Sequence, residues 1–97
     1  MSMTLNDLRK EREHIEKIAQ KHGAGNIRVF GSISRGEEAP DSDIDFLVDF
    51  EAGRSLFDLV GLKLELEELL GYKVDLVTEG GIHRLISSRV MKEAVPL

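Results

Sequence analysis

Three aspartates carry most of the chemistry this sequence can offer: Asp43, Asp45 and Asp75. Ser42-Asp43-Ile44-Asp45 opens an apolar run that reaches Phe50. Read as a strand from Asp43 to Phe50, its side chains alternate between two faces. Asp43, Asp45 and Leu47 take one face; Ile44, Phe46, Val48 and Phe50 take the other, which reads as a buried face. Two carboxylates held side by side repel, and one is driven towards the neutral acid unless a cation sits between them. A hard divalent ion such as Mg²⁺ suits the pair, keeping waters and substrate phosphates as its remaining ligands. Upstream, Gly31-Ser32 closes a short apolar segment and offers backbone N–H groups and a hydroxyl to phosphate oxygens. Arg35 follows, with a guanidinium that can hold phosphate bidentately. Its alternative is a surface ion pair with Glu37 or Glu38.

The elements that must position these residues are legible in order. Thr4 to about His22 reads as a helix with Thr4 and Asp7 in capping-box spacing. Leu5, Leu8, Ile15, Ile18 and Ala19 form its apolar stripe. Gly23 and Gly25 release the chain. Ile27 to Phe30 is the first strand, and Ser32 to Gly36 one helical turn facing the phosphate site. Glu37 to Asp41 is a polar loop broken by Pro40. After the strand Asp43–Phe50 and the loop Glu51 to Arg54, Ser55 caps a helix that runs to Leu70. Asp58 stands at its capping-box position, and Gly71 stands just past its end. Tyr72 to Thr78 is the third strand, with Val74 and Leu76 on one face and Lys73, Asp75 and Val77 on the other. The strand–helix–strand connection favours parallel pairing with a right-handed crossover. Gly80-Gly81 breaks the chain, and Ile82 to Ala94 reads as a last, locally basic helix. Val95 and Leu97 follow as apolar tail residues that this helix need not bury, and so as a docking feature.

Composition narrows the field. The 97 residues make one domain, residues 1–97, with one small core. There is no cysteine, which excludes disulfides and thiolate metal sites. No apolar run is long enough for a bilayer and no signal segment opens the chain, so a cytoplasmic location is expected. The net charge of −5 and a pI near 5.1 repel a bare polyanion, so long nucleic acid is a poor partner while a nucleotide arriving with Mg²⁺ is acceptable. His14, His22 and His83 share no metal-site spacing; His14 and His22 are read as solvated. Asp49 lies roughly 13 Å along the strand from Asp45 and reads as a solvated strand-end charge. Tyr72 reads as a packing residue at a strand edge.

Asp-x-Asp by itself is a weak signal, because charges alternate on half-exposed strands, and Gly-Ser is common in turns. Order and context raise it. Gly31-Ser32 closes one strand, Asp43-x-Asp45 opens the next, and a third strand carries the isolated Asp75. Together with Arg35-Gly36, these motifs resemble the nucleotidyltransferase superfamily typified by DNA polymerase beta. The whole chain, including the ending Lys92-Glu93-Ala94-Val95-Pro96-Leu97, is more closely similar to the minimal nucleotidyltransferase (MNT) domains, the antitoxin halves of HEPN–MNT toxin–antitoxin pairs.

The resemblance implies an α/β (α+β) fold with a small mixed sheet and helices packed on one face. It implies transfer of AMP from ATP to a hydroxyl with loss of pyrophosphate, assisted by two Mg²⁺ ions held by Asp43, Asp45 and Asp75. Gly31, Ser32, Arg35 and Ser42 would bind the nucleotide phosphates, and Asp75 can also accept the acceptor's proton. Ile33-Ser34 fills positions without charge chemistry, and no acid is missing from the motif, which speaks for an active enzyme. The chain has no room for an acceptor-binding domain, so the acceptor is expected on a partner, a tyrosine of a HEPN ribonuclease toxin. Two other functions remain open at this point: an antitoxin acting by occlusion without catalysis, and a nucleotidyltransferase of the aminoglycoside-modifying kind.

Overall fold

The computed structural model describes residues 3–31, 33–36, 44–78 and 90–97. Its centre is a four-stranded sheet in the order β3-β2-β1-β4, with β1 spanning Ala24–Phe30, β2 Ile44–Phe50, β3 Val74–Thr78 and β4 Val95–Pro96. β1 runs antiparallel to β2 and β4, while β2 and β3 are parallel, so the sheet is mixed. The parallel pair is joined through helix α3, Leu56–Leu70, as the strand–helix–strand spacing requires.

The helices begin where their side chains satisfy the first orphan N–H groups. Thr4 Oγ1 accepts from the Asp7 N–H while the Asp7 carboxylate accepts from the Thr4 N–H, a reciprocal box that starts α1, Leu5–Lys10. Ser55 and Asp58 do the same for α3. Gly71 closes α3 at φ 74, in the left-handed region, and donates to the Glu67 carbonyl. The first helix differs from its sequence expectation. It divides at Glu11 (φ −96, ψ 8), where α1 ends and α2, Arg12–Lys21, begins. The apolar stripe is empty at this turn: Leu8 and Ile15 are both buried, but Glu11 and Arg12 stand between them. Nothing apolar pins the joint to the core.

One core unites these elements on one face of the sheet. Val29, Ile44, Phe46, Val48, Val74 and Leu76 meet Leu8, Ile15 and Ala19 of the first two helices and Leu62, Leu66 and Leu70 of α3. Leu47 points to the other face and is nonetheless fully buried. The predicted split of β2 into an apolar face and an open face therefore holds at Asp45 but not at Leu47.

Four further expectations change. β1 starts at Ala24, three residues earlier than predicted, because Asn26 takes φ 49 and the ladder shifts between Gly25 and Arg28, absorbing a residue that would otherwise end the strand. Asp49 is not merely solvated: Asn26 Nδ2 donates to it at 2.9 Å and Arg28 Nη2 at 3.0 Å, one to each carboxylate oxygen. His22 is half-buried, with its ring against Gly61 of α3. Its Nε2 lies 3.2 Å from the Glu65 carboxylate. Finally, the tail is not free. A helical stretch over residues 90–93 leads into β4, Val95 and Pro96 pair with Val29 and Arg28, Leu97 donates to the Ile27 carbonyl at 3.2 Å, and its side chain is buried. Edge pairing consumes the residues expected to dock on a partner. Of the predicted last helix, residues 82–89 lie outside the described residues, as does the polar loop 37–41.

Candidate active site

The parallel ladder of β2 and β3 sets Asp45 directly beside Asp75. Paired residues on neighbouring strands project from the same face, with backbones about 4.8 Å apart. Ile44 and Phe46 flank Asp45, and Val74 and Leu76 flank Asp75; all four are buried in the core on the opposite face. The alternation that seals one face thus forces both carboxylates onto the other. Asp45 is half-buried there and Asp75 is exposed.

The end of β1 joins them. Phe30 is the ladder partner of Asp45, so Gly31 follows at the edge of the acid pair. Gly31 sits at φ 78, and a Cβ built on it would collide with Oδ2 of Asp45. Glycine is required on both counts: the backbone is left-handed, and the carboxylate occupies the space of a side chain. The turn that follows is one 3₁₀ turn, Ile33–Arg35, pinned by the buried Ile33 and by Ser34 Oγ donating to the Gly31 carbonyl at 2.7 Å.

Arg35 ends that turn with its side chain 44% exposed, and Nη1 lies 3.2 Å from both carboxylate oxygens of Glu93. Glu37 and Glu38, the partners expected from the sequence, lie outside the described residues. Glu93 is a residue the sequence reading missed. Its only signal was an acid among the basic residues of the last helix, and its pairing with Arg35 depends on a tail fold that short-range patterning does not show.

Of the seven residues predicted for the site, the structure brings Gly31 and Asp45 into contact and sets Asp75 beside them, with Arg35 at the end of the same turn. Ser32, Ser42 and Asp43 lie outside the described residues. Among the described residues no three His, Cys, Asp or Glu side chains are grouped to hold a metal. Asp45 and Asp75 supply only carboxylate oxygen, the donor chemistry that suits Mg²⁺ rather than a softer metal. The residues present therefore fit the expected ion.

Carboxylates displaced below their ordinary range have structural causes. Asp7 is lowered by the Thr4 hydroxyl and backbone N–H, Asp58 by the Ser55 N–H, and Glu65 by the Lys21 ammonium that bridges α2 to α3 at 2.7 Å. A cleft of about 360 Å³ also lies apart from the acids, between α2 and the β1–β4 edge, lined by Arg12, Glu16, Gln20, Asn26 and Leu97 among others. Among the described residues Glu16 is the only acidic side chain in its lining, so it lacks the paired carboxylates of the ladder.

Residues 11–97 match the model of the nucleotidyltransferase domain family. A Methanocaldococcus jannaschii relative named as a protein adenylyltransferase is 46% identical over 93 residues, covering 96% of this chain and 97% of its own. The protein adenylyltransferase MntA of Thermococcus cleftensis is 43% identical over 82 residues, covering 84% of this chain and 83% of its own. A solved structure described as a minimal nucleotidyltransferase superposes with a TM-score of 0.86 at 49% identity, covering 98% of this chain and 97% of that one. A toxin–antitoxin crystal structure with AMP-PNP shares the fold at a TM-score of 0.73 and 24% identity, covering 87% of this chain and 69% of that one.

Proposed function

The chain belongs to the nucleotidyltransferase domain family, and from that premise we propose that it transfers AMP from ATP to a hydroxyl on a partner protein, a HEPN-type toxin whose tyrosine is the acceptor. What carries the proposal is the register of Asp45 against Asp75, with Gly31 closed onto the Asp45 carboxylate. The relatives named as protein adenylyltransferases support the reaction class. The toxin–antitoxin neighbour shares the fold, and its partner motivates the choice of acceptor.

Asp43, Asp45 and Asp75 would hold two Mg²⁺ ions. When bound, such ions supply charge neutralisation on the triphosphate and a lower pKa for the acceptor hydroxyl. The protein's own work is positioning. Gly31 and Ser32 would cradle the phosphates with backbone N–H groups and a hydroxyl, with Ser42 as a further phosphate ligand. Arg35 reaches the triphosphate in exchange for its Glu93 contact, a swap of one carboxylate pair for a phosphate pair. The acceptor oxygen then attacks the α-phosphorus in line, the bond to the bridging oxygen breaks, and pyrophosphate leaves. Asp75, exposed beside the attack site, takes the acceptor's proton. The chemistry is mainly orientation and charge compensation, as in phosphoryl transfer generally.

Calorimetric titration of ATP tests the binding half of this account. Affinity should be strong with Mg²⁺ and fall in EDTA. Equal affinity in the two conditions would remove the metal from it.

A further inference from the structure

The ion pair between Arg35 and Glu93 joins two parts of the chain that are 58 residues apart, and the fold anchors both ends. Arg35 closes the Ile33–Arg35 turn, which the buried Ile33 and the Ser34 hydroxyl on the Gly31 carbonyl hold to the sheet. Glu93 ends the helical stretch 90–93. Buried Val90 seats that stretch, the Ala94 N–H donates to the Val90 carbonyl at 2.8 Å, and β4 follows on the edge of β1. β1 thus carries Gly31 to the acid pair at its end and holds, along its edge, the tail that brings Glu93 to Arg35.

An ordinary surface pair contributes little, because two long side chains must be ordered in water to make it. This pair differs. The Glu93 side chain is only 21% exposed, Nη1 of Arg35 lies 3.2 Å from both of its oxygens, and the anchored backbone at each end supplies part of the ordering. A guanidinium does not give up its proton in a protein, so which anion it holds is settled by competition alone.

On the role proposed above for Arg35 as a triphosphate ligand, and dependent on it, we propose that Glu93 is a competitor built into the chain that sets the nucleotide affinity of the site. It occupies Arg35 while the site is empty, and a triphosphate must displace it before the guanidinium turns to phosphate oxygens. Several phosphate charges prevail over one carboxylate, but the contact given up is subtracted from the binding energy. Glu93 thereby weakens nucleotide binding while it stabilises the tail. These opposite signs separate it from a purely structural pair, whose removal lowers stability without tightening the binding of any ligand.

Calorimetric titration with Mg–ATP, run beside denaturant unfolding, tests this. Glu93→Gln keeps the size of the side chain and removes its charge. It should bind Mg–ATP about two- to fivefold tighter than the wild type, the range of a pair of this kind, while unfolding at lower denaturant. Glu51→Gln, which removes one charge just past the end of β2 remote from Asp45, should leave the affinity unchanged and so exclude a mere effect of net charge. In an Arg35→Gln background Glu93→Gln should add nothing, because the contest has lost its object. Should Glu93→Gln lose the circular dichroism spectrum of the wild type, Glu93→Asp, which keeps the charge but draws the carboxylate back by one methylene, should shift affinity in the same direction. A wild type that binds Mg–ATP, with a folded Glu93→Gln or Glu93→Asp that binds it equally or more weakly, would overturn the proposal and leave the nucleotide site standing. A gain in affinity that survives Arg35→Gln would overturn it too. A wild type that does not bind Mg–ATP would overturn the nucleotide reading itself, and this proposal with it.

Discussion

The two faces of the β2–β3 ladder are built from alternate residues of the same strands and do opposite work. On one, Ile44, Phe46, Val48, Val74 and Leu76 join a core shared with three helices. On the other, Asp45 and Asp75 stand side by side, partly or wholly open to water. Neighbouring positions in sequence should therefore divide cleanly: substitutions on the first face act on stability, and substitutions on the second act on chemistry. The division is not symmetric, since Leu47 shares the acid face yet is fully buried.

The largest expected effect is on the core face. Phe46 is fully buried, so Phe46→Ala should cost about 3–5 kcal/mol in denaturant unfolding, a large part of the stability of a small domain. One residue away, Asp45→Asn should lower AMP transfer by about 10²–10³ while leaving the unfolding midpoint in place, with Asp75→Asn acting in the same direction. Wild-type turnover in folded Asp45→Asn would erase the functional half of the contrast.

How far this division could be read from the sequence follows from the range of the interactions. The alternation of β2, the Thr4–Asp7 and Ser55–Asp58 boxes and the Gly71 stop are local, and each stood where its residues predicted. The pairing of Asp45 with Asp75 needed a register that no single strand specifies; the residues favoured the parallel crossover, while the placement of Asp75 beside Asp45 came only from the family resemblance. β4 was invisible because two residues, Val95 and Pro96, carry no strand pattern of their own. They become a strand only because β1 has an open edge. The clamp of Asn26 and Arg28 on Asp49 likewise depends on a bulge at Asn26, a residue type tolerant of positive φ but without a local marker of this use.

Gly31→Ala probes where the two faces meet. Its left-handed backbone costs an alanine about 1–2 kcal/mol, and the new methyl must also displace the Asp45 carboxylate. A modest loss of stability with a disproportionate loss of transfer is expected; a loss of stability alone would detach Gly31 from the site. The smallest effect lies farthest from both faces. Because the Ser55 N–H holds the Asp58 carboxyl below its ordinary 3.8, this cap stabilises fully above that pH and fades as pH falls through the lower folded value. Asp58→Asn should flatten that part of the acid-unfolding curve, and an unchanged curve would remove the cap from the account.

The central claim is chemical, and intact-mass spectrometry of the partner tests it most directly. The chain is co-expressed with a candidate HEPN-type toxin, and the toxin is purified and weighed. The account predicts a mass increase of one or more AMP units, absent when Asp45→Asn replaces the wild type. A toxin that is silenced at unchanged mass would contradict it, and would assign the neutralisation to occlusion.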